Sequence, residues 1–345
     1  MLNKKFVVKN YILRFVLVLM PFQILAQNDI IKPSKVLEAH TYKINYIRFS
    51  EDGKYLASGG WDNYTILWDM ESFSKIRTLD GHSDWIREVN ISPNNKIVVS
   101  GSQDGSVKIW DLLTGELMHT IVISPQEFVK KSLYPEFDRK SKNAVCALAF
   151  SPDGKYLVIG TLDEFIRFWD LDQHKLTKKI KAHTNGTGYI TFNTEGNVMI
   201  SGSIYNELIV WDFNKFKPLK TIVEYRGYNS SFEFLNNDKQ LINTANDTIN
   251  VWDIWSGKLL RSIPAQDMLQ SVQLTPDQKY MVTCGEDHKL KLWNFESGQE
   301  LWSYSNPKPE LADCKISPNG ELLALATPEG KVLVWYIDEL IKRLQ

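Results

Sequence analysis

The chain has 345 residues, with 40 basic against 41 acidic side chains, a formal charge of −1, 43% hydrophobic residues and 11 tryptophans. So even a balance excludes a polyanion-binding surface as the main function, because phosphate neutralisation supplies most nucleic-acid affinity and needs a basic excess. Three cysteines in a chain this long exclude a disulfide scaffold, and a core of this size needs no such staples.

The first segment, residues 1–27, places Lys4, Lys5, Lys9 and Arg14 around and before an uncharged, mostly apolar stretch, Phe15–Leu25, which ends at Ala26 and Gln27. It reads as a secretory signal peptide, since this run falls short of the ~20 residues that span a bilayer. An uncleaved anchor helix is the alternative. Cleavage removes four basic residues and no acid, leaving 36 basic against 41 acidic residues in 28–345. No later stretch has the length and apolarity of an integral membrane segment, and nucleic acid is not expected as a partner.

Next, Lys35–Glu38 is a short strand-like run without a preceding unit, and residues 44–79 give the first full one. Ile44–Phe49 alternates as a strand, Ser50-Glu51-Asp52-Gly53-Lys54 turns, Tyr55–Gly59 is a second strand, Trp61-Asp62-Asn63 turns, and Thr65–Asp69 and Lys75–Leu79 complete the unit. The turn recurs as Ser92-Pro93-Asn94-Asn95, Ser151-Pro152-Asp153-Gly154, Thr275-Pro276-Asp277-Gln278 and Ser317-Pro318-Asn319-Gly320. Pro presets φ at the first central position of such a turn, and Asp, Asn or Gly accept the backbone conformations of the next two. Trp68, Trp110, Trp169, Trp211, Trp252, Trp293 and Trp335 close the third strands at intervals of 42, 59, 42, 41, 41 and 42 residues. A period of ~40–45 residues with four short strands per unit marks propeller blades. The long interval marks an insertion, Ser124–Asn143, rich in aromatic and charged residues and free of glycine.

With Gly81-His82 opening a unit that closes on Trp110-Asp111, and Ala39-His40 and Ala182-His183 opening two more, residues 35–338 resemble the WD-repeat family of β-propellers. The resemblance implies an all-β, seven-bladed propeller with four antiparallel strands per blade. The last unit lacks a fourth strand, so residues 35–39 are expected to pair with it and close the ring. It also implies that His40, Ser58, Asp62 and Trp68, and likewise His82, Ser100, Asp104 and Trp110, form structural tetrads. No G-x-S-x-G elbow or glycine-rich donor loop accompanies these hydrolase-like sets, so neither is read as catalytic. Blade three offers Asp163 and Trp169 with Ile159 at the Ser position; blade four has His183, Ser201 and Trp211 with Tyr205 at the Asp position; blade six has Thr283, Asp287 and Trp293. Blades five and seven, with Asp247 displaced and Glu329 in place of Asp, lack the set almost entirely.

Loops that share one face of a propeller are the natural binding surface. Tyr42, Trp61, Trp85, Arg87, Tyr205, Arg226 and Tyr228 are assigned there, and Phe128 and Tyr134 lie in the insertion. Aromatic and Arg residues dominate binding hot spots. The six histidines are scattered without metal-ligand spacing, and no P-loop or dinucleotide fingerprint appears, so no metal, cofactor or enzymatic activity is expected. The expected protein is an exported propeller, periplasmic, outer-membrane-associated or secreted. It acts as a non-catalytic scaffold, a monomer within a complex with protein partners. Small-molecule or glycan binding at the channel mouth, or a hydrolase with an unrecognised site, are the alternatives.

Overall fold

Four strands per repeat follow from the alternation, and the computed structural model describes them for residues 31–123, 143–235, 238–265 and 268–344. Residues 1–27 and the insertion up to 142 lie outside this range, Phe128 and Tyr134 included. Blade one is β2 (Ile44–Phe49), β3 (Tyr55–Gly60), β4 (Thr65–Asp69) and β5 (Ser74–Leu79), paired in that order. Blade two is β6 (Ile86–Ile91), β7 (Ile97–Ser102), β8 (Ser106–Asp111) and β9 (Leu117–Val122). Blade three is β10 (Val145–Phe150), β11 (Tyr156–Thr161), β12 (Phe165–Asp170) and β13 (Lys175–Lys181). Blade six is β21 (Leu269–Leu274), β22 (Tyr280–Gly285), β23 (Lys289–Asn294) and β24 (Glu300–Ser305).

Blades four and five are fused. β14 (Thr187–Phe192), β15 (Val198–Ser203) and β16 (Tyr205–Asp212) pair into β17 (Lys217–Phe234), which continues as the innermost strand beside β18 (Gln240–Ala245), β19 (Thr248–Asp253) and β20 (Lys258–Pro264). No break separates the blades because β17 pairs Val223 with Glu207 and Tyr228 with Tyr205 on one side, then Asn229 with Ala245 on the other. Tyr205, Arg226 and Tyr228 therefore sit on strands and not on loops. Blade seven is β25 (Cys314–Ile316), β26 (Leu322–Ala326) and β27 (Lys331–Tyr336), completed by β1 (Lys35–Glu38). The closing register is antiparallel, Lys35 opposite Val334 and Glu38 opposite Lys331. A short helix, α1 (Ile337–Leu344), comes after it, burying Ile337 and Leu340.

Each turn has a local cause. The Ser50 hydroxyl donates to Asp52 Oδ1 at 2.7 Å and accepts from Tyr55 N–H at 2.9 Å, while Gly53 takes φ of 70°. The same hydroxyl donation to a side-chain Oδ1 recurs in Ser92–Asn94, Ser151–Asp153, Thr275–Asp277 and Ser317–Asn319. Where Asp follows the repeat Trp it seals the next turn: Asp69 accepts Ser72 N–H at 2.7 Å, Asp111 accepts Thr114 N–H at 2.7 Å, and Asp253 accepts Ser256 N–H at 2.6 Å.

The core is distributed between blades. Because side chains alternate along a strand, Ile66 and Trp68 of β4 face blade seven while Leu67 faces blade two. Trp110, Trp169, Trp211, Trp252 and Trp293 likewise each pack on the interface with the preceding blade. Trp335 meets Trp302 and Tyr304 of blade six edge-on, at 5.9 and 5.1 Å between ring centres. The blades approach so closely that a Cβ on Gly59 would stand 2.4 Å from Ile86, and one on Gly202 would stand 2.2 Å from Phe232. Glycine there is a condition of the packing.

Leu37, 2% exposed, carries β1 into the cluster shared by blades one and seven. Leu37→Ala should lower stability by ~2–5 kcal/mol, and deleting residues 35–39 should lower the melting temperature sharply. An unchanged thermal transition in the deletion would refute the closure as a major source of stability.

Candidate functional site

The His–Ser–Asp sets assemble as bonded chains. His40 Nδ1–H donates to Asp62 Oδ1 at 2.9 Å, Ser58 Oγ–H to His40 Nε2 at 2.8 Å, and the Trp68 indole to Ser58 Oγ at 2.8 Å. His82, Asp104, Ser100 and Trp110 repeat this at 2.9, 2.9 and 3.0 Å. This is the proton order of a hydrolytic triad. Yet Ser58 and Ser100 have no exposed surface, and each serine oxygen already accepts an indole N–H. A nucleophile must reach a substrate carbonyl, so neither serine can attack. The acids also bind the chain: Asp62 accepts Thr41 N–H at 2.9 Å and Asp104 accepts Ser83 N–H at 3.0 Å. Burial raises the Asp62 carboxyl, but the bond and charge of His40, with the N–H donors, outweigh it and hold it below the usual carboxylate range. Asp104 is held lower still, burial being outweighed by bonds from His82 and Ser106.

Other blades replace missing members with residues from unexpected positions. In blade four the acid is Glu207 and not the residue at 205: His183 Nδ1–H donates to Glu207 Oε2 at 2.7 Å, Ser201 bonds His183 Nε2 at 2.8 Å, and Trp211 donates to Ser201 at 2.8 Å. The longer Glu side chain reaches back from two residues further along. In blade three, Arg167 stands in for His and forks onto both oxygens of Asp163, with Thr161 donating to the same acid. Trp169 keeps an indole N–H with no partner. Blade six repeats the device as an ion pair, Lys291 Nζ at 2.8 Å from Asp287, and Trp293 donates to Thr283 at 2.9 Å. Blade five keeps Trp252 N–H to Asn243 Oδ1 at 2.9 Å. In the third and sixth blades the substituting cation lies two residues before the Trp, a spacing that is legible in the sequence.

On the loop face, Trp61 and Trp85 form a parallel stack, with ring centres 4.2 Å apart and planes within 4°. Trp61 sits on the β3–β4 turn and Trp85 on the β5–β6 connection, so the stack bridges blades one and two. Trp61 is anchored by its indole N–H on Asn45 Oδ1 at 2.7 Å, and Lys43 Nζ lies 5.4 Å from its ring centre. Trp85 stays 40% exposed and neighbouring Tyr42 63%. Arg87 is not part of this surface: it lies on β6, half-buried, its guanidinium on Cys146 Sγ at 3.2 Å. Phe128 and Tyr134 lie outside the described residues, and only backbone positions are described for Tyr205, Arg226 and Tyr228. Among the described residues, no three His, Cys, Asp or Glu side chains are grouped to hold a metal ion, and the three cysteines are buried and free.

A ring of four-stranded blades with His–Ser–Trp networks defines a propeller-type repeat protein. Residues 31–69, 73–111, 133–170 and 257–294 match the WD domain, G-beta repeat. The chain thus carries WD40 repeats on a seven-bladed propeller. It is 26% identical over 200 residues to the human serine-threonine kinase receptor-associated protein, covering 56% of this chain and 55% of that protein. It is 29% identical over 196 residues to nuclear distribution protein nudF of Emericella nidulans, covering 55% and 44%. WD repeat-containing protein 3 of Mus musculus is 35% identical over 120 residues, 31% of this chain and 13% of that protein. The chain spans about half or less of the length of these relatives.

Because Asp62 and Asp104 titrate lower in the fold than in the unfolded chain, their contribution is present above ~pH 4 and lost as pH falls further. Asp104→Ala should cost ~1–3 kcal/mol at pH 7 by leaving His82 and Ser83 donors unpaired. Urea denaturation should show that deficit shrinking at pH 3; a constant deficit would refute the assignment.

Proposed function

We infer that this propeller is a non-catalytic interaction platform that presents the Trp61–Trp85 face to protein partners at the cell envelope or outside the cell. The indole stack, with Trp85 exposed over a half-buried Trp61, carries the reading. Two large apolar rings held rigid by packing and by the Asn45 bond lose little conformational freedom on binding, which is why Trp anchors dominate hot spots. Repeats of this kind generally serve as protein-interaction scaffolds, and the receptor-associated protein among the relatives is named for an association. The buried serines argue against hydrolysis by the His–Ser–Asp sets. The charge and hydropathy order of residues 1–27 supports export, and no described helix is long and apolar enough to cross a membrane.

Two measurements test this. Protein captured from envelope fractions by the wild type should be missing from the Trp61→Ala, Trp85→Ala double variant, with its circular dichroism unchanged. Recovery of the same proteins by both would show that another surface binds. N-terminal sequencing of the protein from cells should begin near Asn28; an intact N-terminus in the mature protein would overturn cleavage.

A further inference from the structure

At the centre of the ring lies a cavity of about 190 Å³ to which the innermost strands of all seven blades contribute. Strand edges facing it are unpaired, and side chains of neighbouring blades cap them: Asn45 donates to Ile86 O, Glu233 accepts Leu274 N–H, Gln273 accepts Ile316 N–H, and Asp313 accepts Ile47 N–H. These caps commit most of the polar groups. Lys315 is likewise committed, to Asp313 with Ser271 at 3.4 Å and Cys314 O at 3.3 Å. Its charge and that of Asp313 cancel.

Arg48 is different. Its Nε is buried and has no partner, and its Nη2 stands 3.8 Å from Glu88 Oε1, beyond hydrogen-bond reach. A guanidinium offers a planar fork that matches a carboxylate, and here that fork is unused. Ala147, Leu148 and Phe232 are the apolar residues that blades three and five contribute to the lining, and the hydroxyl-bearing Tyr46, Tyr189 and Ser231 also line it.

We propose that the central cavity is a binding site for a small monocarboxylate, its carboxylate held by Arg48 and its carbon body against Ala147, Leu148 and Phe232. The proposal goes beyond the partner-binding reading and uses a different surface. Size limits the ligand: a cavity of about 190 Å³ admits a molecule of the size of acetate or lactate. Charge limits it too. Burial pushes the Glu88 carboxyl up to about 8, against the charge of Arg48, and pushes Glu233 up to about 7. Near neutral pH a protonated Glu88 leaves Arg48 facing only the partly ionised Glu233, so a single negative charge at the guanidinium completes the balance and a dianion exceeds it. Above pH 8, Glu88 ionises and competes for the same guanidinium. The tyrosines are raised by burial and stay neutral throughout.

Isothermal titration of the full chain with sodium lactate and sodium acetate, at matched ionic strength and at pH 6.5 and 9, tests this. Saturable binding at pH 6.5 should weaken at least tenfold at pH 9, as Glu88 and, to a smaller degree, Glu233 lose their protons. Arg48→Gln should abolish it. Glu88→Gln should retain it at pH 9 and reduce the pH dependence to the part that Glu233 contributes, and inorganic phosphate should bind more weakly than lactate. No saturable heat with either carboxylate, equal binding by Arg48→Gln, or an unchanged pH dependence in Glu88→Gln would each overturn the proposal.

Discussion

A four-stranded blade has two apolar faces and can bury neither by itself. That constraint organises the molecule. Alternate residues on every strand supply two different interfaces, so each blade must be held between two others, and blade one has a neighbour on both sides only if the ring closes. Strand β1 makes the last sheet four-stranded and delivers Leu37 to the final interface. The repeat tryptophans obey the same logic, each pressing on the preceding blade, and glycine persists at Gly59, Gly101, Gly160 and Gly202 where the next blade comes closest.

Polar networks are the second layer. An indole N–H buried at an interface needs an acceptor, and a serine oxygen whose own proton goes to a histidine supplies one in blades one, two and four. Elsewhere the requirement is met by Thr283 or Asn243, or left unmet at Trp169. The buried acid is more demanding, because an unpaired charge costs more than an unpaired dipole. Each of Asp62, Asp104, Asp163 and Asp287 accordingly has a cationic or histidine partner. Rigidity of this origin is what allows an indole pair on the rim to hold its shape.

Particular residues show where reading the chain succeeds. Ser50, Asp52 and Gly53 announce their turn because the bonds that make it join residues two to five apart. Trp68 and Trp110 announce both blade and network because their partners recur at constant spacing. Glu207 is hidden from the rule that locates the other acids: a side chain one carbon longer reaches the histidine from another position. Arg87, Tyr205, Arg226 and Tyr228 resemble rim residues in composition but fall on strands, since nothing in the local sequence stops β16 and β17 from continuing.

The sequence by itself determined the blade count, the strand boundaries of blade one within a residue, the closing strand and the first two networks. All of these rest on period-two burial, turn chemistry or a fixed repeat, which are local or periodic properties. Tertiary structure alone decided that Trp61 stacks on Trp85 and that Arg48 faces Glu88 in a shared cavity. Contacts between separate blades depend on how seven sheets are angled around one axis, and no spacing along the chain encodes that angle.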